Sequence, residues 1–492
     1  MSDQVQDRQA APADPGSGQL AHGALKGVDS IVMAVAGSAP GYSIAASTAI
    51  LVGAAAVAGP AALLWCGIPM LGIALAFSHL GRGDANAGAA YSWVRKTLHP
   101  MLGFISGWAV VVSATIFMVA AALPAGQATL SLVNANKTWS TTDVTLVGAV
   151  WFLVMAAIVA AGVTITTKAQ WIMSCIEVAI LLVVGVAALF HESGRHGTPF
   201  SWHWFSPTAF GSSHVFAAAA LVAAFYYWGW DVTANLNEES KRSKLANLGG
   251  IIGVVIVFAL FELYTVVINM FFSQSDIQTQ GSSISTALAT AVGGSFLGKM
   301  MIIAVMLSTI ATLETTLIQV SRSLFAMGRD NTLPKAFGKI DVKRRTPVVA
   351  TAVVTVVSLV LFLVSNHVGS VGTIMTDAIN AIGLQIAVYY SLAALAVTVA
   401  FRKELFKSAS NALFMGFMPL LGAAFMAYTL VENLFGSGST LNAETKWIGI
   451  GALALGLIPM VWYAVKKVPY YDRRARLASE DELELQLADV AA

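Results

Sequence analysis

The chain has 492 residues, of which 57% are hydrophobic and only 11% charged, against about 25% charged in soluble domains. That balance excludes a soluble globular protein, and a formal net charge of +2 argues against a nucleic-acid partner. Cys66 and Cys175 both fall in apolar segments, which argues against a disulfide framework.

Residues 1–26 are polar and rich in Ala, Gly and Asp, without the short apolar core of a signal peptide, and read as a disordered cytoplasmic tail. Twelve apolar spans follow, near residues 29–56, 61–80, 101–130, 144–163, 169–190, 213–236, 248–272, 295–326, 347–364, 370–400, 412–434 and 445–465. With the N-terminus inside, all 28 Lys and Arg except Lys137, Arg195, Lys299 and Lys446 collect on the inner side. The sequence thus predicts an all-α, multi-pass protein of the cell membrane with both termini cytoplasmic.

Two spans carry helix-weakening clusters: Gly37-Ser38-Ala39-Pro40-Gly41 in the first and Trp228-Gly229-Trp230-Asp231 in the sixth. Lipid offers no partner to a freed backbone group. Two such clusters, five spans apart, therefore mark helices opened at mid-depth to hold a solute or ion. Because five is odd, a second set of five spans enters from the opposite face, which predicts inverted repeats over 27–190 and 213–400. These form a transport core, 27–400, followed by two further helices within 401–466 and a cytoplasmic tail, 467–492. The loop 191–212, with His191, His196, His203, Trp202 and Trp204, reads as solvated with interfacial aromatics rather than as a metal site.

Asp231, Glu177 and Glu314 fall within the hydrocarbon, and Glu262 and Asp377 are further cases. An intramembrane carboxylate costs at least about 2.5 kcal/mol at a helix centre, and function is its default reading. Almost no basic residue lies at comparable depth. Three readings compete: protonated and inert, shuttling protons, or binding a metal cation or a cationic amine. There is no His-Glu-x-x-His and no Gly-x-Ser-x-Gly to suggest an enzyme, and no filter to suggest a channel.

The segment Asn86-Ala87-Gly88-Ala89-Ala90-Tyr91, with Arg95, Lys96, Pro100, Gly103-Phe104 and Gly107-Trp108, resembles a signature of the amino acid–polyamine–organocation permeases. So do Ser321-Arg322-Ser323-Leu324-Phe325-Ala326-Met327-Gly328-Arg329-Asp330 with Leu333-Pro334, and Gly229-Trp230-Asp231 with Asn237-Glu238-Glu239. The resemblance covers most of residues 27–410. It implies a five-plus-five inverted-repeat fold (LeuT-like) with spans 1 and 6 broken. It also implies a substrate carboxylate at Gly37, Ser38, Ala39 and Gly41, an amine near Gly229 and Asp231, and an aromatic gate at Phe225. Two departures stand out: Gly-Ser-Ala-Pro-Gly where relatives show Gly-x-Gly, and Glu177 where many relatives carry Lys.

The expected function is a secondary active transporter of an amino acid or organic amine, working by alternating access and driven by protons. The acid-rich interior leans towards a cationic or amine substrate, with Glu177, Asp231 and Glu314 as coupling residues. The alternatives are a neutral amino acid uniporter or exchanger, a cation channel or a membrane enzyme. The partners expected are a small-molecule substrate, protons and the lipid bilayer, with no cofactor and no metal.

Overall fold

The computed structural model describes residues 19–134, 137–365, 367, 371–437, 439 and 441–472. Every regular element among them is a helix, apart from two isolated bridges, Leu25 with Ser240 and Asp341 with Thr346. The expected tails, up to residue 18 and from residue 473, lie outside the described residues. Residues 19–26, read from the sequence as the end of a tail, are anchored through two buried leucines. Leu20 is buried against Ala87 and Phe325, and Leu25 exchanges backbone hydrogen bonds with Glu239 (3.1 Å) and Lys241 (2.8 Å).

The helices run α1 (Gly27–Ser38), α2 (Pro40–Ala55), α3 (Gly59–Gly83), α4 (Ala90–Thr97), α5 (Pro100–Val133), α6 (Thr141–Ala161) and α7 (Val163–Phe190). After the 191–212 loop come α8 (Ser213–Tyr226), the single turn α9 (Val232–Asn235), α10 (Ser243–Phe271), α11 (Gln274–Gln280) and α12 (Ile284–Arg329). The chain closes with α13 (Val348–Ser365), α14 (Val371–Ala400), α15 (Ala409–Phe435) and α16 (Ala443–Val465). Local chemistry sets many of the ends. Ser140 and Asp143 form a capping box on α6, as Ser273 and Asp276 do on α11, each satisfying two orphan donors. Pro100 opens α5 at its first turn, where a missing N–H costs nothing. Gly293 and Gly294 leave helical geometry and kink α12.

Among the described residues, ten stretches are long and apolar enough to cross a membrane. They differ from the twelve expected spans in two places. The first and second spans are counted together as Gly27–Gly83, whose 57 residues would run about 85 Å as one helix, nearly three bilayer cores. The sixth is divided into α8 and α9, of 14 and 4 residues, neither long enough to count. The other expected spans each match one helix.

α12 is the central post, touching α1, α2, α5, α6, α7, α9 and α13. Around it α1 and α3 pack on α10, α5 packs on α6 and α14, and α15 packs on α3 and α14. The outer helices turn apolar side chains outward: Leu146, Val150 and Leu153 on α6, Ile172, Val183 and Val186 on α7, and Val356 and Val360 on α13 are all exposed. Such faces would drive aggregation in water and suit contact with acyl chains.

Candidate functional site

The first break follows from one residue. Pro40 has no N–H to continue α1, and its ring clashes with the turn before it. Ala39 takes up the change of direction in the left-handed region, φ 47° and ψ 62°, which an L-residue adopts at a cost of about 1–2 kcal/mol. The exposed end of α1 is then satisfied. Ala39 N donates to Val35 O (3.1 Å) and Ala36 O (3.2 Å), Gly37 O accepts from Thr312 Oγ1 (3.1 Å), and Ser38 O accepts from Ser43 Oγ (3.0 Å).

The start of α2 is satisfied too, by side chains of two other helices. Gly41 N donates to Glu177 Oε1 of α7 at 2.8 Å, and Tyr42 N donates to Ser308 Oγ of α12 at 3.0 Å. A helix N-terminus attracts negative charge, and here the chain's own carboxyl group occupies that position. The Gly41 amide expected to receive a substrate carboxylate is therefore taken by Glu177 in this conformation.

The second break lies against the first. Gly229 has φ +96°, a conformation open to glycine. A Cβ placed on Gly37 would overlap the Gly229 carbonyl, and one placed on Gly229 would overlap the Gly37 carbonyl. Two residues on, Asp231 is 1% exposed. Its Oδ2 accepts from Gln319 Nε2 of α12 and from Tyr389 OH of α14, both at 2.9 Å. Trp228 Nε1 donates in turn to Tyr389 OH at 2.6 Å. The second break is thereby tied to two neighbouring helices.

Glu314 sits apart from both breaks. Gln170 Nε2 of α7 donates to Glu314 Oε2 (2.6 Å) and to Ala311 O (2.8 Å). The three expected coupling carboxyls therefore do not share one pocket, because each is drawn to the donors nearest its own helix face. Glu262 lies beside Cys66 and Tyr227, and Asp377 accepts from Thr445 Oγ1 (2.8 Å) and Asn442 Nδ2 (3.2 Å).

Phe225 is buried in an aromatic cluster, its ring 6.3 Å from Tyr42, 6.1 Å from Phe117 and 6.4 Å from Trp228. Above that cluster is a cavity of about 240 Å³, lined by Tyr42, Ala46, Gln127, Ser131, Ser283 and Thr286 among others. It lies towards the end of α12 away from Arg322 and Arg329. Its lining carries no acidic residue, so the acid-rich interior expected from the sequence is not the wall of this cavity.

The opposite end is closed. Arg322 Nε and Nη2 donate to Glu239 Oε2 (3.0 Å) and Oε1 (3.1 Å), and both side chains are fully buried. Arg329 holds Glu238 (3.0 Å) and Asn86 (3.2 Å), and Asn235 Nδ2 donates to Ala87 O (2.6 Å). Sequence reasoning placed Arg322 and Glu239 in motifs but did not pair them. It missed Gln319, Tyr389, Ser308 and Gln170 altogether. Polar residues inside apolar spans were the available signal, without direction.

The chain matches the amino acid permease family over residues 27–458. It is 24% identical over 415 residues to the serine/threonine exchanger SteT of Bacillus subtilis (strain 168), covering 82% of this chain and 87% of that one. It is 27% identical over 310 residues to the methylthioribose transporter of the same organism, covering 60% of this chain and 65% of that one. The low-affinity putrescine importer PlaP of Escherichia coli (strain K12) is 25% identical over 309 residues, covering 61% and 66%.

Proposed function

We propose, from the premise that the chain belongs to the amino acid permease family of the amino acid–polyamine–organocation superfamily, that it is a proton-coupled secondary transporter working by alternating access. Relatives named as transporters of amino acids and of an amine support the coarse reading, a non-enzymatic membrane transporter of amino acids or amines. The finer reading adds twelve membrane passes in two inverted repeats, with both termini on the cytoplasmic side of the cell membrane, as the Lys/Arg bias suggests. In that reading 27–400 is the transport core.

A single observation carries the coupling: Glu177, fully buried, holds the amide at the start of α2 with no cation beside it among the described residues. When ionised, the carboxylate completes the α2 N-terminus. On taking a proton it becomes a neutral acceptor about half as strong, which lets a substrate carboxylate displace it from Gly41. Proton binding and substrate binding then favour each other. Gly37, Ser38, Ala39 and Gly229 would line the substrate position, with Phe225 above it and Asp231 set to meet the amine.

A neutral amino acid is a second reading, favoured by the uncharged polar lining of the cavity. Uptake into proteoliposomes of L-serine, L-leucine, L-lysine and putrescine, with and without an inward proton gradient, separates these readings. Gradient-stimulated uptake is expected; uptake indifferent to the gradient would remove the coupling. A preference for leucine over putrescine and lysine would remove the cationic lean.

A further inference from the structure

One face of α7 is polar over the first half of the helix. Thr166, Gln170, Ser174 and Glu177 recur every three or four residues and are all buried, which lines them up along a single helix face. They meet a polar edge of α12. Ser308 faces the Glu177 carboxyl, Ala311 O and Glu314 accept from Gln170, and Thr166 faces Glu314. From Glu177 to Gln170 is seven residues, a rise of about 10 Å. Lys168, exposed at the near end of α7, marks where this stripe approaches the basic face.

Four buried atoms along this interface, Ser174 Oγ, Gln170 Oε1, Glu177 Oε2 and Glu314 Oε1, have no hydrogen-bond partner among the described residues. Buried polar atoms are ordinarily paired, and ordered water is the usual partner where protein supplies none. A polar stripe with spare acceptors and hydroxyls, bounded by a carboxyl group at each end, has the composition of a proton path.

The stripe touches the first break only at its Glu177 end, and α12 turns its other end, at Glu314, away from the breaks. Successive helical residues point about 100° apart. Thr312, Gln319 and Arg322 share the face that meets Gly37, Asp231 and Glu239. Glu314 is turned by about 200° from Thr312, towards α7. Competing charges near the stripe are few. On α1, Asp29 accepts from Trp171 Nε1 (2.9 Å), and on α10 Tyr264 donates to Leu181 O (3.0 Å) while Glu262 turns towards Cys66. On α2 the nearby titratable group is Tyr42, and Asp143 of α6 is held by Ser140 at that helix's start.

We propose that the α7–α12 interface conducts protons between Glu177 and the basic face, with Glu314 as a second proton site, by a route separate from the one the substrate takes. In the forward step the Glu177 carboxylic acid gives its proton to water on the stripe, and the Glu314 carboxylate accepts one from that water. No other atom or electron is exchanged, and Glu177 is left ionised to recapture the Gly41 amide. This rests on the coupled-transport reading above. The ion pairs Arg322–Glu239 and Arg329–Glu238 close the path below the breaks, so a proton can leave while the substrate exit stays shut.

The test uses the full chain in proteoliposomes with a pH-sensitive dye inside, given L-serine, L-leucine and putrescine in turn. Protons and probe entering are counted for the same vesicles. Glu314→Gln and Gln170→Leu are expected to lower protons per probe at least tenfold, Ser174→Ala by a smaller factor, and Glu314→Asp to restore the ratio. Monodisperse elution of each variant establishes that it is folded, and failure of Glu314→Gln to fold leaves Gln170→Leu and Ser174→Ala to decide. Variants that keep the wild-type ratio overturn the proton path and leave coupled transport standing. A wild type that moves a probe without protons overturns coupled transport, and the path with it.

Discussion

Gly37 and Gly229 meet backbone to backbone, so closely that neither can carry a side chain without striking the carbonyl of the other. The two interrupted helices therefore touch at their openings, and each break helps to hold the other. Gly229 is the more demanding position because its φ of +96° adds a backbone penalty to the overlap. Gly229→Ala is expected to reduce uptake at least tenfold, and Gly37→Ala is expected to damage it through overlap alone. Uptake normalised to the amount of protein in the membrane checks this, and normal uptake by either variant would break the link between contact and function.

Glu177 separates proton carriage from structural capping. Gln at this position keeps an acceptor for the Gly41 amide but cannot take up a proton, so accumulation should fall further than exchange. Leu leaves the amide buried and unpaired, at about 1–3 kcal/mol. The Leu variant should therefore melt below the Gln variant. Equal melting temperatures would show that the 2.8 Å bond contributes little.

The Arg322–Glu239 pair is fully buried, so removing one partner strands a charge. Arg322→Ala and Glu239→Ala are each expected to destabilise by about 3–5 kcal/mol, whereas an apolar replacement of both recovers most of the loss. Thermal unfolding in detergent of the two single variants and of Arg322→Met with Glu239→Leu tests this. Additive losses would mean that the pair is not coupled.

Asp330, just past the end of α12, is held above the ordinary carboxyl range by burial, with Arg329 and Arg95 working against that shift. A carboxyl raised on folding adds stability at low pH that is lost as pH rises through its folded value. The window opens near the ordinary Asp value of about 3.9 and extends upward. Asp330→Asn should therefore raise the melting temperature at pH 7.5 relative to wild type and change little at pH 4. A loss of stability at pH 7.5 would show that the Arg contacts dominate.

Much of the architecture was legible in the chain itself. Hydropathy and helix length marked the spans, and Pro40 and Gly229 announced the breaks, because a missing N–H and a positive φ are properties of single residues. The permease motifs at 86–108 and 321–334 identified the family for the same reason: they are local. The twelve-span expectation and the ten stretches that qualify by length differ only at the merged first pair and the divided sixth span, and the division is itself the Gly229 break.

What the sequence could not supply was direction. Glu177, Asp231 and Glu314 were recognisable as costly buried acids, and placing them together in one acidic interior was the natural expectation. The rotation of each helix instead sends them to different donors: Glu177 to the Gly41 amide, Asp231 to Gln319 and Tyr389, and Glu314 to Gln170. Those partners lie 88 to 158 positions away in the chain. Composition shows that a carboxyl must find a donor in a medium without water. Which donor it finds depends on how helices turn against one another, and only the packed structure decides that.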